Sequence, residues 1–140
     1  MSALEIIYFT RYFFKAGDQH SVHSPFVYHL LTDCIQQIPK KTSLKNYFNK
    51  IQQYLETTSY SLHYCSNILE LKTKETTADS EPLAYFISDI HKNKGTQQEW
   101  NSITKDKNIQ ISIDFWSFGL IFEKKDQEKE HFVLFKNRWR

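Results

Sequence analysis

Apolar residues recur at helical spacing through the first 58 positions and at strand-like spacing after residue 60. Over residues 3–15, Leu4, Ile6, Ile7, Tyr8, Phe9, Phe13 and Phe14 make a broad apolar face with Arg11 and Lys15 opposite. That pattern predicts an amphipathic helix ending near Gly17 and packing over the sheet. A second helix is predicted from Pro25. Ser24 can cap it, and proline suits the first helical position, where a missing N–H costs nothing. Phe26, Val27, Leu30, Leu31, Cys34, Ile35 and Ile38 carry its stripe to Pro39. A third helix opens after Thr42 and Ser43, with Leu44, Tyr47, Phe48, Ile51, Tyr54 and Leu55 inward, and ends near residues 57–59.

Beyond Tyr60 the spacing shortens. Leu62 and Tyr64 suggest extended chain, Ile68-Leu69-Glu70-Leu71 reads as a short apolar strand, and Leu83 to Asp89 as another. Gln97 to Lys105 forms a short helix centred on Trp100 and Ile103. Ile109, Ile111 and Ile113 then alternate with Gln110, Ser112 and Asp114, the mark of a half-buried strand. Gly119 to Glu123 and His131 to Lys136 are two further strands, joined by the charged loop Lys124 to Glu130 as an antiparallel hairpin. The predicted fold is α/β with an α+β-like character: three amino-terminal helices packed on a small mixed sheet that ends in an antiparallel meander. One domain spans residues 1–140, with a helical cap over 1–58 and the sheet portion over 60–140.

The interval between the two apolar strands is short. Parallel neighbours need a crossover of a dozen or more residues. Residues 72–81 are fewer than that, and Lys-Thr-Lys-Glu-Thr-Thr-Ala-Asp-Ser-Glu offers no apolar stripe for a crossover helix.

Composition adds exclusions more than assignments. Eleven Phe, eight Tyr and three Trp give large buriable area, so an ordered core is expected. A formal net charge of only +2, with acids and bases interspersed, argues against a nucleic-acid surface, and only Lys136 to Arg140 is locally basic. Cys34 and Cys65 sit far apart with no metal or redox spacing, which suits a reducing compartment. Glu5 and Arg11 bracket too short an apolar stretch for a leader, and nothing approaches a membrane span. A cytoplasmic protein with no membrane and no nucleic-acid partner is expected.

Three stretches together resemble a family of class I S-adenosylmethionine-dependent methyltransferase-like proteins of Bacteroidetes type. His23-Ser24-Pro25-Phe26-Val27-Tyr28 is similar to that family's HSPF(V/F)Y signature. Ser88-Asp89-Ile90-His91 followed by Trp100 is similar to its DDIH…W. Ile111-Ser112-Ile113-Asp114-Phe115, Gly119-Leu120-Ile121-Phe122 and His131-Phe132-Val133 are similar to its closing SIDL…GLLFF…HFV strands. Ile68-Leu69-Glu70-Leu71-Lys72-Thr73 looks like a worn copy of its cofactor motif LELGTS. The resemblance implies a sheet derived from a Rossmann-like methyltransferase and assigns Glu70, Lys72 and Thr73 to a degenerate cofactor site. Lys72 stands where the motif has its first glycine, and no glycine lies between Gly17 and Gly95. Without glycine, a strand-to-helix turn cannot let backbone approach a cofactor so closely. Ser88 also replaces the first acid of DDIH.

The resemblance, with its lost glycines and a cofactor-binding half shortened so that the chain passes almost at once from Leu71 to the family's fifth strand, implies a methyltransferase-like protein that is not catalytic, binds no cofactor, and acts as an interaction or regulatory protein. Its expected partner is a second copy or a full-length methyltransferase relative. The alternative is an S-adenosylmethionine-dependent enzyme that completes its site by oligomerisation. His23, Asp89, His91 and Asp114 are the candidate substrate or metal residues, with His131 able to join the last three. Spacing alone does not enforce convergence, so no metal is assigned. The plainer roles are a backbone bond for His23 at a helix start and a turn cap for Asp114.

Overall fold

Short polar side chains open three of the helices. In the computed structural model, which describes residues 3–18, 22–68, 71, 83–123 and 128–136, Ser24 Oγ accepts the Val27 N–H at 3.4 Å and Ser43 Oγ accepts that of Asn46 at 3.3 Å. They start α2 (Pro25–His29) and α3 (Leu44–Glu56), which follow α1 (Ala3–Lys15). Helix α2 runs on as a wider π turn over Leu30–Cys34 and a tighter 3-10 turn over Ile35–Gln37. Helix α4 (Lys94–Thr104) begins before Gln97, where apolar spacing alone would start it. The cause is a reciprocal cap: Asn93 Oδ1 accepts the Thr96 N–H at 2.9 Å while the Asn93 N–H reaches Thr96 Oγ1 at 3.1 Å.

Five strands form one mixed sheet: β1 (Ser61–Cys65), β2 (Leu83–Ser88), β3 (Ile111–Asp114), β4 (Phe118–Phe122) and β5 (Glu130–Val133), in the order β1-β2-β4-β3-β5. β1 pairs parallel with β2, β4 pairs antiparallel with both β2 and β3, and β5 pairs parallel with β3. Four strands thus share one direction and β4 opposes them. With four helices among the described residues, the arrangement is α/β.

Several expectations change. The strand before β2 is Ser61–Cys65, not residues 68–71. Ile68 accepts the N–H of Leu71 at 3.2 Å and Leu71 is helical, so both enter a turn. Both also pack on the same apolar cluster, which an i, i+3 helical pair does and a strand pair of that spacing does not. The link between the parallel strands is therefore residues 66–82, long enough for a crossover. The supposed shortage disappears. Glu70, Lys72, Thr73 and the whole of 72–81 lie outside the described residues.

The closing meander is also overturned. β4 already has β2 on one edge and β3 on the other, so β5 cannot form a hairpin with it and takes the free edge of β3 instead. Residues 124–127 of the connecting loop lie outside the described residues. Past β5, Gly17 bridges in parallel to Leu134 and prolongs that edge.

The sheet is buried on both faces. One cluster joins Val27, Leu30, Leu31, Ile35, Tyr47, Ile51 and Leu55 of the helical side to Phe86, Ile113, Phe118, Leu120 and Phe122. The other joins Trp100 and Ile103 of α4 to Tyr85, Ile87 and Ile121. Each large apolar side chain buried in this way contributes about 1.5–3 kcal/mol. β3 is accordingly buried along both faces, not half-buried: Ser112 and Asp114 are 2% and 5% exposed. Helix α1 does not cover a face, since α2, α3 and α4 already do. Only its Tyr12 is buried, and Ile6, Ile7 and Phe14 remain exposed.

Candidate functional site

β2, β3 and β5 run in the same direction, so their carboxyl ends lie on one edge of the sheet. Open α/β sheets bind ligands outside that edge. Here a cavity of about 190 Å³ opens there, lined by His91 after β2, Asp114 at the end of β3 and His131 and Val133 of β5. Its remaining walls are two helices. α1 supplies Tyr8, Arg11, Tyr12 and Lys15, at the i, i+3, i+4, i+7 spacing of one helical face, and α4 supplies Gln97, Trp100 and Asn101.

Two unusual backbone positions shape the turns that follow β2 and β3. Asp89 (φ 56°) and Trp116 (φ 73°) are both in the left-handed region, which is uncommon outside glycine and least so for Asp and Asn. The Asp89 N–H donates to the Ser117 carbonyl at 2.9 Å, and its own carbonyl accepts from Lys92 at 3.2 Å, closing the turn that brings His91 inward. Asp114 Oδ1 accepts the Trp116 N–H at 2.8 Å. The Trp116 indole stacks on His91, with ring centroids 4.6 Å apart and planes 12° apart, and contacts Phe9 and Tyr12 of α1.

His91 and Asp114 are in direct contact, Nε2 to Oδ2 at 2.6 Å, with both side chains buried. His91 Nδ1 meets Gln97 Oε1, and the Gln97 amide reaches Asn101 Oδ1 at 3.3 Å. Both ring nitrogens of His91 and both oxygens of Asp114 are therefore engaged. The pair looks like a catalytic dyad, yet neither nitrogen is free to accept a proton from a ligand without breaking a bond it already makes. Asp114 does cap the turn as expected, and holds His91 with its other oxygen.

His131 differs. Its Nδ1 lies 2.7 Å from Ser112 Oγ, and among the described residues its Nε2 has no hydrogen-bond partner. Removal of water pushes the imidazole below its ordinary pKa, assisted by Lys129 and Lys15 and opposed by the Asp114 carboxylate. Its Nε2 is the available imidazole atom of the site. Tyr12 donates its hydroxyl to the Leu134 carbonyl at 2.5 Å, and burial, reinforced by Asp114, raises its pKa.

Of the residues singled out from sequence, the cavity gathers His91, Asp114 and His131. Asp89 is exposed and lines a neighbouring cavity of about 220 Å³ with Glu5, His91, Lys92, Trp116 and Ser117. His23 is exposed beside the Ser24 cap and lines neither cavity. Among the described residues, no three His, Cys, Asp or Glu side chains converge to hold a metal ion. Both thiols are buried, and burial raises Cys34 to about 11, the opposite of nucleophile activation. No helix of the described residues is long and apolar enough to cross a membrane.

Sequence reasoning missed the helical walls. Arg11 and Lys15 read as a solvated face, although their spacing with Tyr8 and Tyr12 is visible in the chain. Gln97 and Asn101 flank Trp100 at the same kind of spacing. No protein-family model, curated protein or solved structure matches this chain.

Proposed function

We propose that this chain is a methyltransferase-like protein that does not transfer methyl groups, retains a small-ligand site at the carboxyl edge of its sheet, and acts as an interaction or regulatory protein. One observation supports this reading above others: His91 and Asp114, drawn from two separate stretches of the resemblance, meet at 2.6 Å in a cavity, and their remaining bonds go to Gln97 and the Trp116 N–H. The site is built to hold shape. General base catalysis needs a positioned nitrogen facing the ligand, and both ring nitrogens of His91 are already bonded within the protein.

The cofactor half of the reading rests on glycine, not on length. Residues 66–82 suffice for a crossover, but they contain no glycine, and Lys72 would bring a second cation toward a sulfonium. Calorimetric titration of the full chain with S-adenosylmethionine and with its demethylated product tests this. No heat of binding is expected up to millimolar ligand. Saturable micromolar binding to the monomer overturns the reading. Binding that appears only where light scattering reports a dimer favours an enzyme completed by oligomerisation instead.

A further inference from the structure

The charges around the carboxyl-edge cavity do not balance. Its acidic wall residue is Asp114, whose two oxygens are already committed to His91 Nε2 and the Trp116 N–H. Arg11 and Lys15 line the same cavity from α1, and neither is ion-paired among the described residues. The other polar residues lining this space are Tyr8, Gln97, Asn101 and His131, together with His91 and Tyr12, whose polar atoms are already bonded. Val133 adds apolar surface to the wall, backed by the buried Trp100.

Such a set suits one kind of ligand. A guanidinium presents a planar fork that matches a carboxylate or phosphate, and an ammonium beside it adds a second charge-assisted donor. His131 Nδ1 is 2.7 Å from Ser112 Oγ, and its Nε2, left without a partner among the described residues, can donate to an anion when it carries the proton. At about 190 Å³ the space is below the range of drug-sized ligands, so the molecule it fits is small.

We propose that this cavity binds a small organic oxyanion, its carboxylate or phosphate held by Arg11, Lys15 and His131 and its apolar part resting on Val133. The proposal rests on the reading of this cavity as a retained ligand site and adds the class of ligand. It requires no methyl donor.

Three probes of graded chemistry test it on the full chain: benzoate, its neutral isostere benzamide, and inorganic phosphate. Each is titrated while the imidazole resonances of His131 and the indole N–H of Trp100 are followed by NMR. Saturable shifts with benzoate or phosphate are expected. Whichever anion saturates at lower concentration identifies the headgroup, and benzoate should bind at least tenfold more tightly than benzamide. The pair Arg11→Gln and Lys15→Gln, at exposed positions, should weaken anion binding at least tenfold while leaving the circular dichroism spectrum unchanged. Benzamide binding as tightly as benzoate would overturn the anion assignment and leave a ligand site. Absence of saturable shifts with either anion, or undiminished anion affinity in the double variant, would also overturn it. Binding of S-adenosylmethionine that excess benzoate or phosphate does not displace would sink the functional reading without touching this result.

Discussion

Trp100 lies across Gly119 so closely that a Cβ built on the glycine would sit 2.4 Å from the indole Cη2. This one absent side chain lets α4 press its largest residue onto β4, where Trp100 is 1% exposed. It also fixes where Gln97 and Asn101 stand in the cavity wall. Gly119→Ala should therefore destabilise the fold by about 1–3 kcal/mol, the usual range for overpacking a tight core. Urea denaturation checks it. In a Trp100→Leu background the same change should cost much less, and an unchanged cost would refute steric conflict as the cause.

Asp114 performs two jobs with two oxygens. Asp114→Asn keeps an oxygen for the Trp116 N–H and an amide that can donate to His91, so a loss of about 1 kcal/mol is expected. Asp114→Ala loses the turn bond and leaves His91 Nε2 buried without a partner, for about 2–4 kcal/mol. Equal destabilisation of the two variants by chemical denaturation would mean that the turn and the histidine are not both held by this side chain.

Trp116 sits at a φ that side chains avoid. Removing the indole costs its stack on His91 in either truncation, but alanine keeps the left-handed strain and glycine does not. Trp116→Gly should thus be more stable than Trp116→Ala by about 1 kcal/mol, inverting the usual order of the two residues. Paired thermal melts read the sign directly.

Tyr12 ties α1 to the strand end through the Leu134 carbonyl. Tyr12→Phe should cost about 1 kcal/mol, and more if the abandoned carbonyl stays dry. The raised pKa makes a second prediction. Above pH about 10 the unfolded chain ionises this phenol and the folded chain does not, so stability falls with rising pH and the fall is smaller in the variant. Denaturant midpoints between pH 9 and 11 supply the comparison.

His131 has the opposite sign of shift for a base. Its folded pKa is depressed, so above pH about 6.5 it is neutral in both states and contributes no pH dependence. As pH falls below that value the unfolded chain takes up a proton first, and stability drops until the folded pKa is passed. Lys15 and Lys129 enlarge the shift while Asp114 reduces it. His131→Gln should flatten the stability profile below pH about 6.5 relative to the parent. A steeper profile in the variant would contradict the shift.

Much of the fold was legible in short-range pattern. The stripe through Phe26 and Ile38, the caps at Ser24 and Ser43, and the isoleucine alternation of β3 are local, because the 3.6 and 2.0 periods and the capping bonds each involve residues only a few positions apart. What sequence could not determine was which surface each pattern would meet. Ser112 and Asp114 looked like the solvent side of a half-buried strand, and both are buried, Asp114 in the wall of a cavity, because β5, α1 and α4 closed over them. β5 took the edge of β3 because β4 had no free edge left, a fact settled by strands far away in the chain. His91 and Asp114 are 23 residues apart, and no local preference could bring them together. Long-range pairing obeys the competition for edges and faces in three dimensions, and it is that competition which turned a set of scattered polar residues into one site.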